Sequence, residues 1–356
     1  MFVHELGHFI MAKRAGMRVD EFGFGFPPRM FGFKKGETIY SVNWIPLGGF
    51  VKILGEDGTD TGDVRNFGHK SFWQRFSVLI AGVTMNVILA WVLIAIAMTI
   101  GLPTVIYEDE QLPASAKVRN VQVGILEVAE NSPAKEAGVK MGDMLVRIAN
   151  EPIDSLDEVQ QLTKANEGQP TVYEFQRGSE KYEKTITPRV NPPEGQGSLG
   201  VALGSLGRVS YPWYESIVRG FTTTFNLIVL TLGAFGTLIA GFFQGQPVGA
   251  DLAGPVGIAV LTRDVTQLGF VYLMQFTAIL SVNLAIINSV PFPALDGGRI
   301  LFLIIEKLRG KKLNVKAEQM ANGIGFALLL LLMLFVTVKD VTRYSEGFKN
   351  LFQRLF

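Results

Sequence analysis

The hydrophobic positions of this chain are gathered into long uninterrupted runs. Four stretches contain no Asp, Glu, Lys or Arg, namely 76–107, 220–250, 265–295 and 319–338. About 20 apolar residues in a helix cross the hydrocarbon core of a bilayer, so each run is long enough to span a membrane. A further apolar helix is expected over 1–14, before Gly16. The pattern predicts a polytopic α-helical membrane protein.

Two polar regions separate these runs. The region 17–75 is rich in glycine, and its segment "ETIYSVNWI" alternates apolar and polar residues as strands do, with "KKG" at 34–36 as a turn. The region 117–190 is rich in charge and contains "YEFQRGSEKYEKTIT", which predicts a hairpin in a small α+β domain. The proline and glycine content of "NPPEGQGSLG" at 191–200 is typical of a linker.

The distribution of Lys and Arg predicts the orientation. The region 17–75 and the segment after Asp296 are both rich in these residues, which favours the cytoplasmic side. The domain 117–190 is then extracytoplasmic. If 220–250 and 265–295 both crossed, Asp296 would lie outside, so we expect 220–250 to be interfacial or re-entrant.

This reasoning divides the chain into nine parts. They are a first transmembrane helix at 1–16, a cytoplasmic-side and membrane-associated β-loop region at 17–75, a second transmembrane helix at 76–107, the inserted extracytoplasmic domain at 117–190, a linker and interfacial or re-entrant helix at 191–264, a third transmembrane helix at 265–296, a cytoplasmic loop at 297–318, a fourth transmembrane helix at 319–338 and a C-terminal tail at 339–356. Fourteen residues extend about 21 Å as a helix, less than a core of about 30 Å, so we expect the first helix to be truncated.

Composition and charge narrow the function classes. The chain is 48% hydrophobic and 18% charged with a formal net charge of +1, which argues against a basic nucleic-acid binder. It has no cysteine, so disulfides and thiolate zinc sites are excluded, and any zinc must bind nitrogen and oxygen ligands.

The first helix carries candidate metal chemistry in "HELGH". His4 and His8 are spaced i and i+4, so both imidazoles lie on one helix face and can reach one zinc ion, with Glu5 placed to act as general base. Such a short pattern also arises by chance. Ionisable residues within apolar helices are costly and usually functional, which favours the metal interpretation.

A third ligand is needed, because catalytic zinc usually has three protein ligands and water. His69 lies in a polar loop, where a solvated surface histidine is the stronger interpretation. Asp296 is the better candidate, because Pro291 and Pro293 break the helix before it. A helix cap or a pair with Arg299 remains the alternative for Asp296.

Several motifs resemble those of one family in their order along the chain. They are "HELGHF", "LGGFVKI", "AGVTMN", "SPAKEAGVKMGD", "AGPVGIA" and "NSVPFPALDGG", found in bacterial site-2 proteases, the intramembrane zinc metalloproteases. The resemblance implies that His4, His8 and Asp296 bind Zn²⁺, that Glu5 is the base, and that Asn288 holds the substrate backbone or the oxyanion. It also implies regulated cleavage of a single-pass membrane protein, such as an anti-sigma factor or a signal-peptide remnant, in the bacterial inner membrane near its cytoplasmic side.

The resemblance extends to the two polar regions. It implies that the β-loop dips into the membrane beside the zinc, where we expect Gly48 and Gly49 to allow an extended substrate to approach. The domain 117–190 is similar to a PDZ domain, which either binds peptide ends or acts as a steric filter. The alternative function is a catalytically inactive membrane adaptor that binds peptides through this domain.

Overall fold

The computed structural model describes residues 1–59, 62–106, 112–178, 180–245 and 253–343. The chain forms two compact units, one containing 1–92, 221–259 and 277–356 and the other containing 93–220 and 260–276. The predicted tail at 339–356 lies outside the described residues beyond 343.

Helices and strands follow one another in an order that matches the alternation of apolar and polar regions. The described helices are α1 (Phe2–Arg14), α2 (Phe72–Ile100), α3 (Pro133–Glu136), α4 (Leu156–Ala165), α5 (Trp213–Phe243), α6 (Pro255–Leu268), α7 (Phe270–Ser289), α8 (Asp296–Arg309) and α9 (Val315–Arg343). The described strands are β1 (Val19–Lys35), β2 (Thr38–Ile53), β3 (Leu102–Val105), β4 (Lys117–Val128), β5 (Met144–Ile148), β6 (Glu151–Pro152), β7 (Thr171–Arg177), β8 (Glu180–Ile186) and β9 (Val201–Ser210).

The β-loop region is a long antiparallel hairpin of β1 and β2 that folds back on itself. Its turn contains Gly36 at φ 64°, a left-handed conformation that glycine adopts without steric cost. Phe22 pairs on one side with Val51 and on the other with Tyr40, so the first half of β1 lies between both halves of β2. The segment 49–53 therefore forms one edge of this small sheet.

The second unit contains a six-strand path in the order β3-β9-β4-β5-β7-β8, with β6 paired to β5. We call Leu102–Ser210 the sheet domain. Its core includes fully buried Tyr173, Phe175, Leu145 and Ile148. Such side chains each contribute roughly 1.5–3 kcal/mol through removal of apolar surface from water.

A buried ion pair joins two strands of the sheet domain. The Asp143 side chain is 0% exposed. It accepts one hydrogen bond from Nε of Arg177 at 2.6 Å and another from the hydroxyl of Tyr182 at 2.6 Å. Burial raises the pKa of Tyr182, and the hydrogen bond to Asp143 acts in the same direction because it needs the phenolic proton.

The sheet domain extends beyond the predicted limits of 117–190. Strand β9 pairs antiparallel with β4, where Ile125 faces Leu203, and β3 pairs with β9. The segment 191–200 therefore connects two strands of one sheet, and the expectation of a linker that leaves the domain there is corrected. Backbone groups of β4 need a partner on that edge, and β9 supplies it.

Four described helices have the length and apolar composition of membrane spans, namely Phe72–Ile100, Trp213–Leu238, Phe270–Ser289 and Val315–Arg343. The helix predicted within 191–264 corresponds to α5. Helix α5 is uninterrupted, so the chain does not turn back within Trp213–Phe243. Residues 246–252, at its predicted end, lie outside the described part of the chain.

The predicted third transmembrane helix and the predicted loop after it differ from the observed elements in their limits. Residues 265–296 form no single helix, since Gly269 at φ 121° separates α6 from α7, and α7 ends at Ser289 before Pro291. The predicted loop 297–318 contains most of α8, which begins at Asp296 itself. An aspartate in a first helical turn is favoured by the helix dipole.

Candidate metal centre

The two histidines of α1 lie one turn apart with their rings turned toward each other. Nε2 of His8 is 3.2 Å from Nε2 of His4, and the two side chains are 6% and 7% exposed. The i, i+4 spacing on a helix places these nitrogens at one point, as the sequence predicts. Two imidazole nitrogens therefore face a common position inside the apolar surroundings of α1.

Asp296 reaches this position from the other end of the chain. Its Oδ2 lies 3.0 Å from Nε2 of His4 and 3.3 Å from Nε2 of His8. Ligand atoms of these three residues all lie within 4.8 Å of one another. The structure thus brings together the histidine pair and the carboxylate that sequence reasoning preferred.

The loop before Asp296 is held by α9. Ala294 lies at φ 74°, an uncommon conformation for a residue with a Cβ, and its N–H donates to Oδ1 of Asn322 at 3.0 Å. Gly325 lies so close to Pro293 that a Cβ at position 325 would come within 2.5 Å of the Pro293 carbonyl oxygen. These contacts fix where α8 starts and hence where the Asp296 carboxylate lies.

Hydrogen bonds at the far side of each imidazole set the tautomer. Nδ1 of His8 lies 2.8 Å from the carbonyl oxygen of Val78 and therefore donates to it, so the lone pair of the neutral ring is on Nε2. The side-chain amide of Asn86 lies 3.2 Å from Nδ1 of His4. Its Oδ1 is buried without a hydrogen-bond partner among the described residues. A half-turn of the amide lets Oδ1 accept the Nδ1–H of His4, which leaves the second lone pair on Nε2.

The donor atoms fit a bound cation. Oδ2 of Asp296 is buried and has no hydrogen-bond partner within the described ranges, although two imidazole nitrogens lie close to it. Two nitrogen lone pairs and a carboxylate oxygen repel one another at this separation unless a proton or a cation lies between them. Two imidazoles and one carboxylate are a donor set that Zn²⁺ accepts in catalytic sites.

Close packing between α1 and α2 leaves space for the two rings. Gly82 of α2 faces His4 and His8, and a Cβ there would come within 2.7 Å of Cε1 of His4. Gly7 on α1 lies against the Ala81 backbone, where a Cβ would come within 2.5 Å of the carbonyl oxygen. The imidazoles therefore occupy space that any larger residue at position 82 would fill.

Glu5 lies on the same helix and beside the hairpin edge. A Cβ at Gly49 would lie 3.6 Å from Cγ of Glu5 and 3.0 Å from the carbonyl oxygen of Gly23. Gly48 next to it has φ 85°. The glycine pair thus lets strand β2 pass close to the side chain expected to act as base.

Three further residues were considered from the sequence, namely Asn288, His69 and Arg299. Asn288 is in the last turn of α7 and is half-buried, and its predicted role in substrate binding stays a prediction. His69 is exposed, with Nδ1 3.1 Å from the carbonyl oxygen of Asp63, and is not part of the ligand cluster. Arg299 pairs with Glu56, so the alternative partner considered for Asp296 is engaged elsewhere.

Three positions with clear contacts were not singled out from sequence: Gly82, Asn86 and Asn322. Asn86 had a detectable signal, since it is an amide within the charge-free run 76–107 and buried side-chain amides need partners. Gly82 lies with Asn86 in the motif "AGVTMN", but no role was expected for either residue, and Asn322 had no comparable signal.

The sheet domain contains a groove between α4 and β9 with a volume of about 380 Å³. Its lining includes apolar side chains of α4, of β9 and of the segment just before β9. They include Leu156, Val159, Leu199, Val201 and Leu203. Lys164 and Glu167 provide charged groups at the same groove. Strand β3 pairs with β9 only over residues 206–209, so the earlier part of β9, which lines the groove, pairs within the described strands with β4 alone. A helix beside such a strand is a geometry that accepts extended peptides.

The chain is similar to known proteins over nearly its whole length. The family model described as "Peptidase family M50" matches residues 1–332. The zinc metalloprotease RasP of Geobacillus kaustophilus is 32% identical over 435 aligned residues that cover 97% of this chain and 95% of that protein. The regulator of sigma-W protease RasP of Bacillus subtilis is 30% identical over 424 residues that cover 96% of each chain. A solved PDZ domain of an SdrC-like protein from Listeria monocytogenes covers 24% of this chain and 92% of its own, at 19% identity and a TM-score of 0.22.

Proposed function

We propose that this chain, which belongs to peptidase family M50, cleaves a peptide bond in or near the transmembrane segment of a single-pass membrane protein. It is a zinc metalloprotease of the site-2 type from a bacterial membrane, and one relative is named as the regulator of sigma-W protease. The observation that carries the proposal is the convergence of Oδ2 of Asp296 on Nε2 of His4 and His8 within 3.3 Å.

We assign His4, His8 and Asp296 as the residues that hold the zinc. When bound there, zinc polarises the scissile carbonyl group and makes the attacking water more acidic. Val78 and Asn86 orient the two imidazoles through their Nδ1 atoms. Asp296 adds a negative charge that the two neutral imidazoles do not supply, so the site retains a divalent cation better than a histidine pair alone.

Glu5 is the base in this proposal. Its carboxylate interacts electrostatically with His8, His4 and Asp296, which supports a position near the ligands, and it is not a member of the ligand cluster. It takes a proton from the attacking water as the new C–O bond forms. It then delivers that proton to the amide nitrogen as the C–N bond breaks, which leaves a carboxylic acid and an amine.

The hairpin edge supplies a surface for the substrate backbone. A helical peptide bond is protected by its own hydrogen bonds, so the cleaved segment must be extended. Strand addition to the edge at 49–53 would satisfy the backbone groups freed by unwinding. Gly49 lies next to Glu5, which supports the edge as the place where the extended substrate passes the base. Asn288 is proposed to hold the substrate backbone or the developing oxyanion.

The groove between α4 and β9 is proposed to bind peptide ends. Its apolar lining suits an apolar terminal side chain, and Lys164 suits a carboxylate.

The chain is proposed to lie in the bacterial inner membrane, with the metal centre near the cytoplasmic side and the sheet domain outside the cytoplasm. A steric filter that excludes substrates with large outer domains is the other role proposed for this domain.

The deciding experiment compares wild type with Glu5→Gln in the purified full-length protein. We expect unchanged zinc content and a fall in cleavage of a model single-pass substrate by roughly 10²–10⁴-fold. Glu37→Gln is the matched control, because Glu37 is a partly exposed acid at the hairpin turn that pairs with Lys13 and Arg65. Retained zinc with cleavage unaffected by Glu5→Gln contradicts the role of Glu5 as the base. Retained zinc with no cleavage by the wild-type protein favours the inactive adaptor.

A further inference from the structure

A cluster of lysines lies where α8 ends, apart from the metal centre. Lys307, Lys311 and Lys312 line a concavity of about 220 Å³ that Phe72 also lines. Nζ of Lys307 lies 4.0 Å from the centre of the Phe72 ring and 4.6 Å from that of Trp73. We call these three lysines and two aromatic residues the basic pocket.

The other charged groups at the basic pocket neutralise each other. Arg75 forms an ion pair with Glu306, and Oε1 of Glu306 also accepts the backbone N–H of Leu313 at 3.0 Å. Lys312 donates to the carbonyl oxygen of Gly68 at 3.0 Å, a bond that leaves its positive charge uncompensated. The lysines therefore give the basic pocket a net positive charge.

An exposed apolar row lies on α8 beside the helix face that lines the basic pocket. Leu301, Ile304 and Leu308 are 38%, 38% and 81% exposed. Their spacing of three and four residues places them on one face of the helix, which we call the α8 stripe. Exposed apolar side chains in such a row are stable in contact with hydrocarbon rather than water.

The depth of the basic pocket matches the edge of a bilayer. Helix α2 has 29 residues and is about 43 Å long, which exceeds a hydrocarbon core of about 30 Å. Its first two turns contain Phe72, Trp73 and Phe76, and Trp73 is 68% exposed. Tryptophan concentrates at the level of the lipid headgroups, so this end of α2 lies in the interface.

We propose that the basic pocket binds the phosphate group of an anionic phospholipid, with an acyl chain of the same lipid lying on the α8 stripe. Positive charge selects anionic over zwitterionic headgroups. The continuous apolar stripe selects a lipid over a soluble phosphate, because a soluble ion gains nothing from it. This inference goes beyond the proposed protease activity and does not depend on it.

Quenching of Trp73 tests the proposal in the full-length protein. Trp44→Phe, Trp91→Phe and Trp213→Phe leave Trp73 as the remaining tryptophan of the four. In nanodiscs, brominated phosphatidylglycerol should quench Trp73 at an apparent mole fraction about fivefold lower than brominated phosphatidylcholine does. Lysine-to-glutamine substitution at 307, 311 and 312 should abolish this preference, whereas lysine-to-arginine substitution at the same positions should retain it.

The controls separate the site from general charge attraction. Glutamine substitution at Lys34, Lys35 and Lys70 removes equal charge elsewhere in the same unit and should leave the preference intact. Inorganic phosphate should relieve quenching no more than chloride at equal ionic strength. Equal quenching by both lipids, equal loss in the control variant, or specific relief by inorganic phosphate would each overturn the proposal. Native mass spectrometry of the wild-type protein with both lipids gives an independent count of retained lipid.

Discussion

Asn86 of α2 lies with its side-chain amide 3.2 Å from Nδ1 of His4, on the side of the ring opposite the metal-facing nitrogen. This contact fixes the ring orientation from another helix. Partners of metal-bound histidines set both the tautomer and the basicity of the ligand nitrogen. The carboxamide therefore belongs to the candidate metal centre, although it is not one of the three clustered ligand residues.

Replacement of Asn86 by alanine should lower zinc affinity by roughly 10–100-fold, because His4 loses the acceptor for its Nδ1–H. Competition with a chromogenic chelator measures this change. Thr84→Ala is the matched control on the same helix, since the Thr84 hydroxyl bonds only to the Ile80 carbonyl among the described residues. Equal zinc retention in the two variants would contradict the assignment.

Gly82→Ala should displace the imidazoles and reduce both zinc content and proteolysis. A Cβ at position 82 would occupy the space now filled by Cε1 of His4 and the neighbouring His8 ring. Gly233→Ala on α5 is the control, since a Cβ there meets no atom of the described residues within 4 Å. Full zinc content in Gly82→Ala, measured by elemental analysis of the purified protein, would show that α2 can move away.

Asn322→Ala should destabilise the loop that delivers Asp296. The Ala294 N–H would lose its acceptor at a cost of about 1–3 kcal/mol while Ala294 stays in its left-handed conformation. We expect a lower midpoint of thermal unfolding and faster zinc release. Thr337→Ala on α9 removes a hydroxyl that bonds within its own helix and should change neither quantity.

Asp143→Asn should destabilise the sheet domain by about 3–5 kcal/mol, because Arg177 would keep its charge without a charged partner. Urea titration of the full-length protein with limited proteolysis as readout follows this domain. Asp157→Asn, an exposed position in the first turn of α4, should cost less than about 1 kcal/mol. Similar resistance of both variants to proteolysis would show that the ion pair is not a major stabilising contact of the sheet domain.

Tyr182 makes the stability of the sheet domain depend on pH in the alkaline range. Its pKa is raised above the unfolded value of 10.0, first by burial and then by its hydrogen bond to Asp143. The folded state thus keeps the phenolic proton to higher pH than the unfolded chain, so this contribution is fully present below pH 10.0 and declines as pH rises further. Tyr182→Phe should therefore show a shallower loss of proteolysis resistance above that pH than wild type, while an unchanged slope would exclude Tyr182 as the group responsible.

Sequence patterns located most elements because local rules decide them. The i, i+4 spacing of His4 and His8 and the charge-free runs depend on helix geometry and on hydrocarbon thickness, which act within one segment. The predicted hairpin turn at 34–36 lies where β1 gives way to β2. The boundaries that differed depend on partners: β9 joins the sheet because β4 has a free edge, and α8 begins at Asp296 because α9 holds the preceding loop.

The sequence by itself determined which residue types are available as ligands, the absence of thiolates among them and the membrane class, since residue identity and apolar run length suffice for these. Only the tertiary structure decided that Asp296 meets His4, that Gly82 leaves room for the rings and that Asn86 orients one of them. These contacts join residues tens to hundreds of positions apart. Their distances depend on how helices pack against one another, which side-chain volume and hydrogen bonding across helices determine jointly.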